Sequence, residues 1–219
     1  MIVNILIDIP DSYLLEFVEI IIKKLKDLGH NVNFVQDHKK IIKGDMLFIM
    51  GAKTILNKEH LSLNKNNLVI HPSKLPGGRG SAALIWKILE GENKVYLTLF
   101  EANEKVDRGD IYIQESIKFE GFELSDEIRH KQALKHIEMI LKYVKNHKNL
   151  KKQKQQGKSS FYPKRKPKDS ELDIDKSIRE QFNLLRVVDN KRYPAFFILH
   201  DQKYTIKIYR DKKVVSNEN

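Results

Sequence analysis

Residues 68–80 read Leu68-Val69-Ile70-His71-Pro72-Ser73-Lys74-Leu75-Pro76-Gly77-Gly78-Arg79-Gly80, and the fold is decided in this stretch. The apolar run predicts a strand that delivers His71 onto a loop punctuated by proline and glycine. A helix pattern follows, with Ser81 as the expected N-cap and Leu84, Ile85, Ile88 and Leu89 at helical spacing. Strand, histidine, loop and helix in that order place His71 beyond the carboxyl end of a strand, where open α/β sheets keep their sites. Pro72 and Pro76 restrict the loop. Gly77, Gly78 and Gly80 let its backbone approach a ligand closely.

Outward from this stretch, strands and helices alternate. Residues 2–8 read as the first strand. Asp11 or Ser12 can cap a helix whose apolar face carries Leu14, Val18, Ile21, Ile22, Leu25 and Leu28, stopped by Gly29. Val32–Val35 and Met46–Met50 read as strands, the second of them after a Gly44-Asp45 turn. A short helix over Thr54–Leu61 leads into the strand ending at His71. Val95–Phe100 and Ile111–Ile117 are further strands joined by a polar loop. A long helix then faces the core with Leu124, Ile128, Leu134, Ile137, Leu141 and Val144. Ser125 before Asp126-Glu127 is its expected start. The expected class is α/β, with a mostly parallel sheet and helices on its faces.

The composition changes after residue 150. Residues 151–160 form a polar linker between a main domain, 1–150, and a small C-terminal annex, 161–213. Asp173 or Asp175 can cap a helix carrying Ile178, Phe182 and Leu185. The alternation of Tyr204, Ile206 and Ile208 predicts a hairpin turning near Asp201-Gln202. An annex of about 50 residues is too small to fold alone.

The chain has 219 residues, no cysteine and a formal net charge of +11. Disulfides and thiolate metal sites are excluded. The first residues carry no basic leader, and no apolar run is long enough for a bilayer, so a cytoplasmic protein without membrane contact is expected. The densest basic cluster, Lys148 to Lys158, has no interleaved aromatic and reads as a solvated connector, so nucleic acid is not the expected partner. A positive surface also suits a phosphate-bearing small substrate.

Asp107 is the second candidate for chemistry, 36 residues after His71. The interval holds a helix and a strand, which can return the chain to the same sheet edge. A carboxylate beside an imidazole orients it for acid–base work. Asp110 is the rival for that role. Gly157-Lys158-Ser159 is not a phosphate loop, since no strand precedes it and Lys152 stands where the first glycine belongs. No metal-ligand spacing is present among the histidines.

Together these residues resemble the formyltransferase superfamily that uses N10-formyltetrahydrofolate. The resemblance rests on His71 to Gly80, on Val106-Asp107-Arg108-Gly109-Asp110-Ile111, and on Thr98 in the strand between them; it covers residues 44–120 well. It implies a Rossmann-like formyltransferase domain with His71 and Asp107 as catalytic residues. Met50, Gly51, Ala52, Ile55 and Leu56 of the loop after the third strand would hold the pterin, with Asn103, Val106 and Asp110. Ser73, Lys74, Gly77, Gly78, Arg79 and Tyr193 would meet the acceptor. The implied co-substrate is N10-formyltetrahydrofolate, and no metal is required. Tyr162-Pro163-Lys164-Arg165 and Arg192-Tyr193-Pro194-Ala195-Phe196-Phe197 are similar to the C-terminal region of sugar N-formyltransferases. That likeness implies a nucleotide-linked amino sugar as acceptor, in surface-glycan biosynthesis, and allows a homodimer.

One position departs from the family pattern. An asparagine two residues before the histidine would donate to the oxyanion, and here that residue is Val69. Asn67 lies roughly 6.6 Å further back along the strand. Loss of one such donor typically costs about 10²–10³ in rate. Two other readings therefore stand beside the first: a non-catalytic folate or nucleotide-sugar binder, because of Val69, and an RNA-binding relative of methionyl-tRNA formyltransferase, because of the charge.

Overall fold

The computed structural model describes residues 1–211, so residues 212–213 of the expected annex lie outside the described residues. The strand β1 (Ile2–Leu6) ends two residues earlier than its pattern predicts. Ser12 accepts the Leu14 N–H through its hydroxyl and starts a 3₁₀ turn, Tyr13–Phe17, that runs into α1 (Val18–Asp27). Val18, Ile21 and Leu25 are buried, but Leu28 is exposed, because the helix has already ended there. Next come β2 (Asn31–Val35) and β3 (Gly44–Ile49). Gly44 and Asp45 belong to β3 and do not form the expected turn. The helix α2 (Lys58–Ser62) is shorter than expected, since Asn57 caps it by accepting the His60 N–H and residues 54–57 stay extended or bent.

The strand β4 (Asn64–His71) ends on the histidine. After the short β5 (Arg79–Gly80), α3 (Ala83–Leu89) begins behind Ala82, not Ser81. Ala82 stands in the left-handed region (φ 55°) and offers no side-chain cap. The strands β6 (Lys94–Glu101) and β7 (Ile111–Lys118) form a hairpin. The long helix α4 (Ser125–Asn146) starts with the Glu127 carboxylate accepting the Leu124 N–H. Its Leu134 is exposed, contrary to its place in the apolar pattern, while Ala133, Ile137 and Ile140 are buried.

The six-stranded sheet has the order β2-β1-β3-β4-β6-β7. The first four strands are parallel, and β6 and β7 are antiparallel. Side chains alternate across it. One face carries Val3, Ile5, Phe48, Leu68 and Ile70 into a core shared with α1, α3 and α4. The other carries Leu6, Leu47, Ile49 and Val35 into a smaller cluster with Leu56.

Beyond α4 come β8 (Phe161–Tyr162), α5 (Phe182–Val187), β9 (Ala195–Leu199) and β10 (Gln202–Ile206). The helix that Asp173 or Asp175 was expected to cap starts instead at Phe182. Asp173 turns its carboxylate onto the Asp175 N–H, and Ile178 is exposed. The hairpin turns at His200-Asp201, both with positive φ, one residue before the expected position. Residues 151–160 are exposed except Gln155, yet they are tied down. Gln153 exchanges both backbone hydrogen bonds with Ile111, and β8 pairs in parallel with β5. The same chain section that reads as a connector is a strap laid across the sheet edge.

Two polar centres fasten the annex. Glu123, before α4, accepts from Arg186 of α5 at 3.1 Å and from Lys131 at 2.6 Å, with both Glu123 and Arg186 buried. Burial alone would raise the Glu123 carboxyl. Lys131 and the N–H groups of Glu120 and Gly121 overcome it and hold the group down at about 2. Asp189 is half-buried, which would raise its carboxyl, yet the Arg192 and Lys191 N–H groups and the Arg129 and Arg192 guanidiniums hold it far below the carboxylate range.

Candidate active site

His71 closes β4 at the carboxyl edge of the parallel strands and is buried. Its Nε2 lies 2.7 Å from the Gly78 carbonyl. A carbonyl can only accept, so Nε2 carries the proton of the neutral ring and the Nδ1 lone pair is open. Nδ1 stands 3.6 Å from Oδ1 of Asp107, which is also buried. The other Asp107 oxygen accepts the Gly80 N–H at 2.9 Å. Asp107 has φ 54°, a left-handed conformation that aspartate tolerates better than most residues.

The loop 72–80 is fixed from two sides. Thr98, opposite His71 in the register, donates to the Ser73 carbonyl at 2.6 Å and accepts from the Leu75 N–H. Gln114 donates to the Leu75 carbonyl and to the Thr98 hydroxyl. From the strap, Ser160 accepts the Gly78 N–H through its hydroxyl, and its carbonyl accepts the Arg79 N–H. A side chain at Gly80 would strike the Tyr162 carbonyl, so glycine is what lets the strap lie so close.

Among the residues expected to touch the acceptor, Ser73 is buried, with a hydroxyl that has no partner among the described residues. Lys74 is exposed and stacks its ammonium over Tyr96 at 5.0 Å. A cavity of about 240 Å³ adjoins this loop, lined by Ser73, Lys74, Gly77 and Gly78 with Lys87, Tyr96 and Ser160; His71 and Asp107 do not line it. Arg79 is spent on the site itself, donating to the Asp107 carbonyl and to the Gln155 side chain. Tyr193 is exposed on the annex. Its neighbour Arg192 donates to the Asp11 carbonyl in the loop after β1, which brings that turn to the sheet edge His71 belongs to.

The residues expected to hold the pterin divide. Met50 and Leu56 are buried, one in each apolar cluster, whereas Gly51, Ala52 and Ile55 are at least partly open on the loop after β3. That loop is pinned by Asp8, whose carboxylate accepts the Lys53 and Thr54 N–H groups. Asn103 is exposed and caps the Lys105 N–H; Val106 is exposed; Asp110 gives its carbonyl to the Glu101 N–H. Asp107, not Asp110, is the carboxylate that meets His71.

Val69 is half-buried and packs with Ala102 against the cluster of Leu6, Leu47, Ile49 and Leu56. Asn67 donates its amide to the Leu61 carbonyl, away from His71. Gln155, Ser160 and Gln114 are the site residues that sequence reasoning missed. A glutamine in a Lys/Gln tract carries no local signal. Among the described residues there is no group of three metal-ligating side chains and no helix long and apolar enough to cross a membrane.

Residues 23–144 match the sequence profile of the Formyl transferase family. The chain is 27% identical over 169 residues to a methionyl-tRNA formyltransferase of Ehrlichia ruminantium, covering 77% of this chain and 54% of that protein. It is 29% identical over 150 residues to a GDP-perosamine N-formyltransferase of Brucella melitensis, covering 63% and 57%. The chain thus spans just over half the length of these curated relatives. Its fold is that of a methionyl-tRNA formyltransferase structure from Clostridium thermocellum, with a TM-score of 0.81, 20% identity, and coverage of 97% and 94%.

Proposed function

Because the chain belongs to the formyl transferase family, we propose that it moves a formyl group from N10-formyltetrahydrofolate to the primary amine of a nucleotide-linked amino sugar. The observation that carries this reading is the buried His71–Asp107 pair at the carboxyl edge of β4, inside the family-matched residues. The acceptor amine attacks the formyl carbon, the bond from that carbon to N10 breaks, and the amine gives up a proton. With Nε2 held by Gly78, the open lone pair on Nδ1 takes it, the Asp107 carboxylate stands beside the positive ring that results, and the ring passes the proton to N10 as tetrahydrofolate leaves. Val69 offers the oxyanion no donor, which leaves its stabilisation to the imidazolium and to backbone N–H groups. The resemblance to the GDP-perosamine enzyme and the Tyr193-Pro194-Ala195-Phe196 segment support a sugar acceptor.

A second acceptor class, RNA, is favoured by one observation. Residues 148–168 hold eight lysines, Arg165 and no carboxylate, so most of the +11 charge sits on the strap and the segment after it. The deciding experiment is a formyl-transfer assay at physiological salt with two acceptors, a nucleotide-linked amino sugar and methionyl-initiator tRNA. Transfer to the sugar is expected, and efficient transfer to the tRNA alone would replace it with the second reading. His71→Ala and Asp107→Asn should each lower turnover by about a hundredfold or more, with smaller changes in substrate binding. Near-native turnover in His71→Ala would remove the catalytic role.

A further inference from the structure

We propose that Gln155 is a positioning residue for Asp107, so that the strap after α4 completes a site whose chemistry lies in the family-matched residues. The matched residues end at 144, and Gln155 lies beyond them. Its Nε2 donates to the Asp107 carbonyl and to the Gly109 carbonyl, each at 2.9 Å. Its Oε1 accepts from Arg79 Nη2 at 2.7 Å, and Arg79 Nε donates to the same Asp107 carbonyl at 3.0 Å. One amide thus closes a ring through both loops that carry the reacting pair.

The ring acts on a residue that needs it. Asp107 is held at positive φ, a conformation that aspartate tolerates but that still benefits from partners fixing the peptide. Gly109 stands so close to the Glu101 carbonyl that a Cβ would overlap it, so the turn after Asp107 is already at contact. Gln155 is the one strap side chain among residues 151–160 that is not exposed, and the backbone exchange at Gln153 fixes where it enters. Removing its amide leaves the Asp107 carbonyl to Arg79 alone and takes the Gln155 donor from the Gly109 carbonyl, which loosens the Asp107 peptide and lets the carboxylate shift from Nδ1. Misplacement of a reacting group by about 1 Å can cost a hundredfold.

The kinetic arm of the test rests on the formyl-transfer reading; the spectroscopic arm does not. The full chain is made as wild type, Gln155→Ala and Gln155→Glu, with histidine labelled by ¹⁵N. Glutamate keeps the acceptor for Arg79 but has no donor for the two carbonyls, so both variants should fail alike. The ring ¹⁵N signals of His71 should shift in both, because its carboxylate neighbour has moved. Turnover should fall by about tenfold to a hundredfold with KM within about twofold of wild type. Unchanged His71 signals in both variants would overturn the proposal, as would a lowered melting temperature with full turnover. If wild type transfers no formyl group to either acceptor, the functional reading fails, and the His71 signals alone decide the role of Gln155.

Discussion

The six-stranded sheet buries Val3, Ile5, Phe48, Leu68 and Ile70 on one face and Leu6, Leu47 and Ile49 on the other, whereas the annex adds only Val187 to that core and is otherwise fastened by the β8–β5 pairing and by charges. The annex has its own apolar patch of Leu185, Val188 and Ala195, too few to hold it alone. Its ionic joints to the start of α4 are Arg186 on Glu123 and Asp189 on Arg129. The difference teaches how the two regions fail. Apolar burial is non-directional and shared among many side chains, so it yields gradually. A buried ion pair fails at once when one partner goes, because the other is left charged without a partner.

The largest expected effect breaks this comparison at its weakest joint. Glu123→Gln should destabilise the protein by about 3–5 kcal/mol, since it strands the buried Arg186 guanidinium, and Arg186→Met should cost less, since Lys131 still pairs with Glu123. Denaturant unfolding measures it. Replacing both with apolar residues should restore much of the loss. Glu123→Gln within about 0.5 kcal/mol of wild type would show that the annex is held by its apolar patch after all.

The second effect belongs to the sheet side. His136 of α4 is buried, with Nδ1 on the Gln132 carbonyl, and burial pushes its ring down to about 4. The unfolded chain takes up this proton near pH 6.5 and the folded chain resists it, so the stability contribution is complete above pH 6.5. It is lost as the pH falls from about 6.5 to 4, amounting to about 3 kcal/mol. The Glu123 carboxyl, held at about 2, loses its contribution only at lower pH, below its ordinary 4.5. Two stages of acid loss are therefore expected, the sheet's first and the joint's second. His136→Gln should flatten the first stage in a pH series of melting curves, and an unaltered series would discard this assignment.

The smallest effect sharpens the comparison inside the sheet, where an apolar residue occupies a position at the site. Val69→Asn should cost about 1 kcal/mol of stability, because it carries an amide into the packing with Ala102. It should also raise turnover under the proposed function, since Val69 shares a strand face with His71 and the amide adds a donor on that face. A fall in turnover at unchanged folding would mean that a backbone N–H already serves the oxyanion.

How far the sequence reached follows from the range of each interaction. The stretch 68–80 located β4, the end of the strand at His71 and the glycine-bearing loop, because period-2 apolar alternation and glycine or proline punctuation act over a few residues. The same local signals found α1, α4 and the C-terminal hairpin. They erred at edges, as at Ser81 and Leu28, where a turn conformation settled by packing overrode capping chemistry or apolar spacing. They also promised a helix from Asp173 that the annex does not form before Phe182.

Spacing left Asp107 and Asp110 equivalent and only the family resemblance pointed to Asp107; the tertiary structure shows why, since only Asp107 is turned into the left-handed conformation that reaches His71. Tertiary structure alone decided that the Lys/Gln tract is a strap, through Gln155 at 48 residues from Asp107 and 76 from Arg79. It decided that Arg186 is buried, through partners 63 and 93 residues away. Apolar periodicity is written locally because each residue needs only a face. A polar pin is written only in the pair, and nothing in one partner's neighbourhood names the other.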